Sequence, residues 1–161
     1  MTGKIIYLAI LSLLATPVIA EGEQDLEVRP GEEADTCDES IAQVRVALDN
    51  VGPGGLLTVE LYNDPKHFLR KKGRLKRIRI PAEHEQHRVC FNLEESGSYA
   101  VVAYHDLDAN RKLKKKWNMM PKEPFGLSMN PEPKFGFPKF EDSAFSTDEL
   151  GKNIEIRLID P

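Results

Sequence analysis

His105, Asp106, Asp108 and Asn110 crowd six positions of the chain. Oxygen side chains at alternate places of a tight loop are how a calcium loop begins, since alternate residues turn inward and a hard cation takes oxygen ligands. Counted from Asp106, the rest departs from that template. Arg111 stands at the sixth position in place of glycine, Lys114 at the ninth, and Trp117 at the twelfth in place of glutamate. The five cations between Arg111 and Lys116 also oppose a divalent ion by like charge. The favoured expectation is therefore an Asx-turn, in which these side chains bond their own backbone. No cofactor is expected; calcium held by Asp106, Asp108 and Asn110, joined by Glu123, is the second reading.

His105 beside Asp106 also has the form of an acid–base pair. A general base needs a nucleophile or a substrate proton within hydrogen-bond reach. The chain has neither a Gly-x-Ser-x-Gly elbow nor a Cys-His pair, and Ser128, the nearby hydroxyl, lacks that frame. No catalytic residue is assigned and a non-enzymatic protein is expected, with a His105-centred enzyme as the third reading. The candidate binding set is His105, Asp106, Asp108, Asn110, Glu123, Ser128 and Asn130.

These residues sit in a chain of 161 residues, 40% apolar and 30% charged, with room for one domain. Residues 1–20 have the form of a signal peptide: Lys4, an apolar run from Ile5 to Leu14, and Val18-Ile19-Ala20 as a cleavage site. That run is too short to span a bilayer and no other stretch approaches the length, so no transmembrane segment is expected after its removal. The chain is expected to be exported, to the periplasm or beyond the cell.

Charge is segregated. Residues 21–39 carry nine acids against Arg29 alone, an acidic tail of net −8, which leaves the domain of residues 40–161 at +3. Basic runs lie at Arg70–Arg79 and Arg111–Lys116. Solvated loops are the first expectation for both. The functional one is an anion-binding face, toward an anionic polysaccharide or another envelope protein, that the acidic tail folds back to neutralise. Nucleic acid is not expected, because no aromatic platform interrupts the basic runs.

Cys37 and Cys90 are the two cysteines, and in an oxidising compartment a disulfide is the default. Closing that loop contributes roughly 4 kcal/mol on the chain-entropy account. Metal at His84, His87 and Cys90 is disfavoured by spacing, and residues 84 and 87 would point to opposite faces of a strand.

Period-two alternation positions everything else. Ala42–Leu48 alternates as a half-buried strand, and Gly52-Pro53-Gly54-Gly55 turns the chain. Leu57, Val59 and Leu61 follow as a buried stripe with Thr58, Glu60 and Tyr62 facing out. Ile78 and Ile80 mark a third strand, and Val89, Phe91 and Leu93 a fourth with Cys90 on its outer face. Tyr99–Tyr104 is apolar on both faces, as in a strand covered on each side. Ile154, Ile156 and Leu158 mark the last. Six such strands predict an all-β, antiparallel two-sheet sandwich of immunoglobulin-like or prealbumin-like type, with a small open barrel as the rival.

Residues 105–150 lack a regular pattern but hold five of the seven phenylalanines, the single tryptophan Trp117, and five of the eleven prolines. Disordered chains avoid aromatics. The expectation is a long ordered loop packed as a cap over one end of the sandwich, with short helical turns near Phe140–Phe145.

The order of these blocks resembles a bacterial exported family, domain of unknown function 2141. The matching features are Val44-Arg45-Val46-Ala47-Leu48; Tyr99-Ala100-Val101 running into His105-Asp106-x-Asp108-x-Asn110; Pro121-Lys122-Glu123-Pro124-Phe125-Gly126-Leu127-Ser128-Met129-Asn130; and the block from Phe135 to Phe145. The resemblance covers roughly residues 41–159 and implies a single secreted β-sandwich domain of unassigned activity. The family pattern looks like His-Asp-x-Asn-x-Asn-Gly-x-Leu-Asp. This chain keeps His105, Asp106, Asn110 and Leu113 but has Asp108 for Asn, Arg111 for Gly and Lys114 for Asp. Gly126 and Gly136 are expected to adopt backbone conformations that other residues resist.

Overall fold

The computed structural model describes residues 24–117, 120–132 and 137–161. The signal-peptide reading, Phe135 and Gly136 lie outside the described residues.

The alternating stretches form strands because one row of β-branched and leucine side chains can be buried while the backbone completes its hydrogen bonds in a sheet. β1 (Gln43–Asp49), β4 (His87–Asn92) and β8 (Gly151–Arg157) make one sheet in the order β4-β1-β8. β2 (Leu56–Tyr62), β3 (Arg74–Pro81), β5 (Ser98–Asp106) and β6 (Phe125–Leu127) make the second in the order β3-β2-β5-β6, and β7 (Phe145–Ser146) joins β5. The two sheets enclose one core that includes Val44, Val46, Phe91 and Ile156 from the first and Leu57, Val59, Ile78 and Val101 from the second. The protein is an all-β sandwich.

Three features differ from the expected layout. The β1–β8 pair is parallel, with Val44 opposite Lys152 and Leu48 opposite Ile156, so the first sheet is mixed. The start of β8 is fixed by Gly151, whose φ of 90° suits glycine and whose added Cβ would lie 1.9 Å from the Gln43 carbonyl oxygen. Secondly, Thr58, Glu60 and Tyr62 do not face solvent; each is buried. Thirdly, the stretch 105–150 is not wholly irregular. β5 runs on through His105 and Asp106, β6 and β7 fall inside it, and α1 (Phe140–Ser143) occupies the place where helical turns were expected.

The cap packs only in part. Phe140 joins Tyr62, Phe68, Val102 and Leu127 in a second apolar cluster on the outer face of the second sheet, and Phe145 enters the main core. The rings of Tyr62, Phe68 and Phe140 meet edge to face, with centroids 5.3 and 5.6 Å apart. Trp117 and Phe137 instead stand open, 96% and 63% exposed, so they do not anchor the cap. Gly126 is needed for closeness rather than for an unusual torsion. An added Cβ would lie 2.6 Å from Ile156 Cγ2 and 2.8 Å from the Arg157 carbonyl oxygen, where β8 crosses β6.

The acidic segment lies back on the domain from residue 24 onward. Glu32 pairs with both Arg79 and Arg111, the latter at 2.8 Å, and Asp35 pairs with Lys76 at 2.7 Å. Cys37 and Cys90 are joined, with Cα atoms 5.3 Å apart, and Asp35 bridges to Cys90 through the backbone. The strap therefore follows β3 and β4. Arg79, 3% exposed, is no part of a solvated basic loop. His84 and His87 do not diverge as strand neighbours would. Residue 84 sits in the turn before β4, and the two rings stack at 6.0 Å.

Candidate functional site

β5 delivers His105 and Asp106 to the end of the second sheet, and the chain then turns. Asp106 directs the turn: its carboxylate accepts from the amides of Asn110 at 3.2 Å and Arg111 at 2.5 Å. Asn110 in turn accepts from the Lys112 amide at 2.9 Å, so the Asx-type reading of these side chains describes their geometry. Arg111, where the family pattern has glycine, adopts φ 65° and places its guanidinium on Glu32 and the Glu27 carbonyl.

Bridges between Lys115 and Pro121, and from Lys122 N–H to the Lys114 carbonyl at 2.8 Å, bring Glu123 back beside this turn. Carboxylate oxygens of Asp106, Asp108 and Glu123 lie within 4.8 Å of one another. The third acid of the cluster is thus Glu123, while Asn110 is engaged with the Lys112 amide. Lys114 donates its ammonium to Asp108 and its amide to Glu123 at 3.1 Å. The ammonium bond holds Asp108 at about 2, whereas burial raises Asp106 and Glu123 above the ordinary carboxylate range. Any metal held here would take oxygens from Asp106, Asp108 and Glu123 and would compete with Lys114 for them.

His105 points between the sheets. It is fully buried, its Nε2 donates to the Gly54 carbonyl at 2.5 Å, and its Nδ1 has no partner among the described residues. It borders a cavity of about 490 Å³ with His84, Glu83 and Asp160. Ser128 is also fully buried; its hydroxyl accepts from the Val101 amide at 2.9 Å and donates to the Ser143 carbonyl, tying β5 to α1. Asn130 accepts from the Arg157 amide and donates to the Glu155 carbonyl, both at 2.9 Å, which pins β8 beside β6. His105, Ser128 and the acidic cluster therefore occupy separate places.

The outer face of the second sheet carries a feature that sequence reasoning missed. The strand register sets Arg77, Glu60, Val102 and Leu127 in one row across four strands, and Arg79, Thr58, Tyr104 and Phe125 in the next. The face is thus basic over β3 and apolar over β5 and β6. Above it lies a cleft of about 850 Å³, the larger of the two concavities described here. Glu60 is neutralised within it: Oε1 accepts from Arg74 and Arg77, both at 2.8 Å, and Oε2 from the Tyr62 hydroxyl at 2.6 Å. Burial first, and the Glu60 charge second, push the Tyr62 hydroxyl far above its ordinary range, so it stays a donor. The signal available in the sequence was the Arg-x-Arg spacing of β3 and the Glu60-x-Tyr62 spacing of β2; the register that joins them was not.

Together these observations define an all-β sandwich with an amphipathic cleft on one outer face and an acidic cluster at the end of its central strand. The chain belongs to the family described as "Uncharacterized protein conserved in bacteria (DUF2141)", whose model matches residues 48–155. No curated protein and no solved structure matches this chain. Among the described residues, no helix is long and apolar enough to cross a membrane.

Proposed function

We propose that this protein is an exported, non-enzymatic binding module of the bacterial envelope, working in the periplasm or outside the cell. Its ligand site is the cleft over the outer face of the second sheet. The observation that carries the reading is the two-sided chemistry of that cleft. An apolar floor from β5 and β6 faces a basic wall from β3, in a concavity whose volume falls within the range of small-molecule sites. The Cys37–Cys90 disulfide supports an oxidising compartment. Binding is favoured over catalysis because the His105 Nε2 is engaged by the Gly54 carbonyl and the Ser128 hydroxyl is held by two backbone groups.

The test is a titration of the folded chain with anilinonaphthalene sulfonate, a dye that brightens in apolar clefts. Saturable binding at one site is expected, with amide chemical-shift changes at Val102, Tyr104 and Leu127. A flat titration, or shifts confined to another face, would remove the cleft as the site.

A further inference from the structure

Seven cations and three acids line the cleft, and one of those acids, Glu60, already holds two arginines. Lys71, Lys112 and Arg157 border the same space with side chains that make no ion pair or hydrogen bond among the described residues. The sheet beneath them is apolar, with Val102, Tyr104 and Leu127 buried, and the apolar lining that stays accessible above it includes Phe125, Phe137 and Ile159.

A neutral apolar occupant would cover these cations without pairing them, which costs free energy. A small hydrophilic anion would leave the accessible apolar lining, Phe125, Phe137 and Ile159, uncovered. An occupant with an apolar body and one anionic end satisfies both halves. A lipid bilayer surface is a poorer fit, because membrane docking uses a projecting apolar face and this one is recessed.

Building on the cleft reading above, we propose that the cleft holds a single-chain amphiphile with an anionic head group, a free carboxylate lipid of the envelope. Its chain lies along Phe125, Phe137 and Ile159, and its head is drawn to the cations at the rim, Lys112 and Arg157 among them. This rests on the cleft being a ligand site and adds the class of ligand.

Displacement of bound anilinonaphthalene sulfonate from the full chain separates the two ideas. Decanoate is expected to displace the dye about tenfold more tightly than decanol, with the difference shrinking as salt rises. Lys112→Glu and Arg157→Glu, both at accessible positions, are expected to weaken decanoate about tenfold and leave decanol unchanged. Equal displacement by decanoate and decanol, with no effect of either substitution, would overturn the anionic head while the cleft reading stands. Displacement by inorganic phosphate or heparin as effective as by decanoate would show a charge-only surface and overturn the amphiphile. Co-sedimentation with phosphatidylglycerol vesicles together with no response to free decanoate would overturn it in favour of a membrane surface. Failure of the dye itself to bind would remove both ideas.

Discussion

Lys114 touches two members of the acidic cluster at once, its ammonium on Asp108 and its amide on Glu123. The resemblance places an aspartate where this chain has Lys114, so a fixed internal cation stands among carboxylates that would otherwise repel one another. Lys114→Met is expected to let Asp108 climb from about 2 into the ordinary carboxylate range, because the ammonium bond is the leading cause of its depression. A carboxyl carbon NMR titration reads this directly. An unmoved Asp108 midpoint would show that Lys114 is not the counter-ion.

Burial raises Asp106 and Glu123, so the folded chain keeps protons there that the unfolded chain has already released. These two groups therefore favour folding at low pH, and that contribution is lost as pH rises from their unfolded values through the raised ones. Glu123→Gln stays neutral at every pH and keeps an oxygen for the Lys114 amide. Its stability relative to the parent is expected to rise as pH climbs from the ordinary glutamate range through the raised one, in urea unfolding at each pH. A difference that is flat with pH would show that Glu123 ionises as freely in the fold as outside it.

Gly151 allows β8 to start beside β1, with φ 90° and the Gln43 backbone filling the place of a Cβ. Gly151→Ala is expected to cost more than about 3 kcal/mol, since backbone must shift as well as strain. Gly126→Ala should cost less, because its φ is not left-handed and its closest approaches, 2.6 Å to Ile156 Cγ2 and 2.8 Å to the Arg157 carbonyl oxygen, are less severe than 1.9 Å onto the Gln43 backbone. Denaturant midpoints of the two variants give the order; the reverse order would mean that the β1–β8 pairing is not what locks this sheet.

Much of the sandwich is legible in alternation alone, because a stripe such as Leu57, Val59 and Leu61 has one way to be buried in a sheet. The direction of β8 is not legible, since a stripe reads the same in parallel and antiparallel pairing. β6 and β7 span three and two residues and are too short to show a period. The polar stripe of Thr58, Glu60 and Tyr62 misleads for a physical reason. Those groups are buried because Arg74 and Arg77 satisfy Glu60, Arg79 satisfies Thr58, and Glu60 accepts from the Tyr62 hydroxyl, so polarity there marks a hydrogen-bonded interior and not a wet face. In the acidic cluster, Asp106 and Asp108 are visible as a local motif, and Glu123, already joined to them as a candidate in the sequence, is carried there by the bridge of Lys115 to Pro121, which no local spacing shows.

Glu32 is the residue through which the N-terminal strap grips the domain. Its carboxylate meets Arg79 and Arg111, and its carbonyl accepts from the Arg79 amide at 2.9 Å, so one residue holds both side chain and backbone of β3. The Arg79 guanidinium is almost wholly enclosed, and its other partners are the Thr58 hydroxyl at 3.3 Å and the Arg111 carbonyl at 2.9 Å. Glu32→Gln keeps the shape but removes the charge facing two arginines. The expected cost is about 2 kcal/mol, below that of breaking a wholly buried pair because Glu32 keeps some access to water. The Arg79 amide should also exchange hydrogen faster, as the strap lifts without global unfolding. Unchanged stability and unchanged protection at Arg79 would mean that the disulfide at Cys37 and the pair of Asp35 with Lys76 hold the strap without this ion pair.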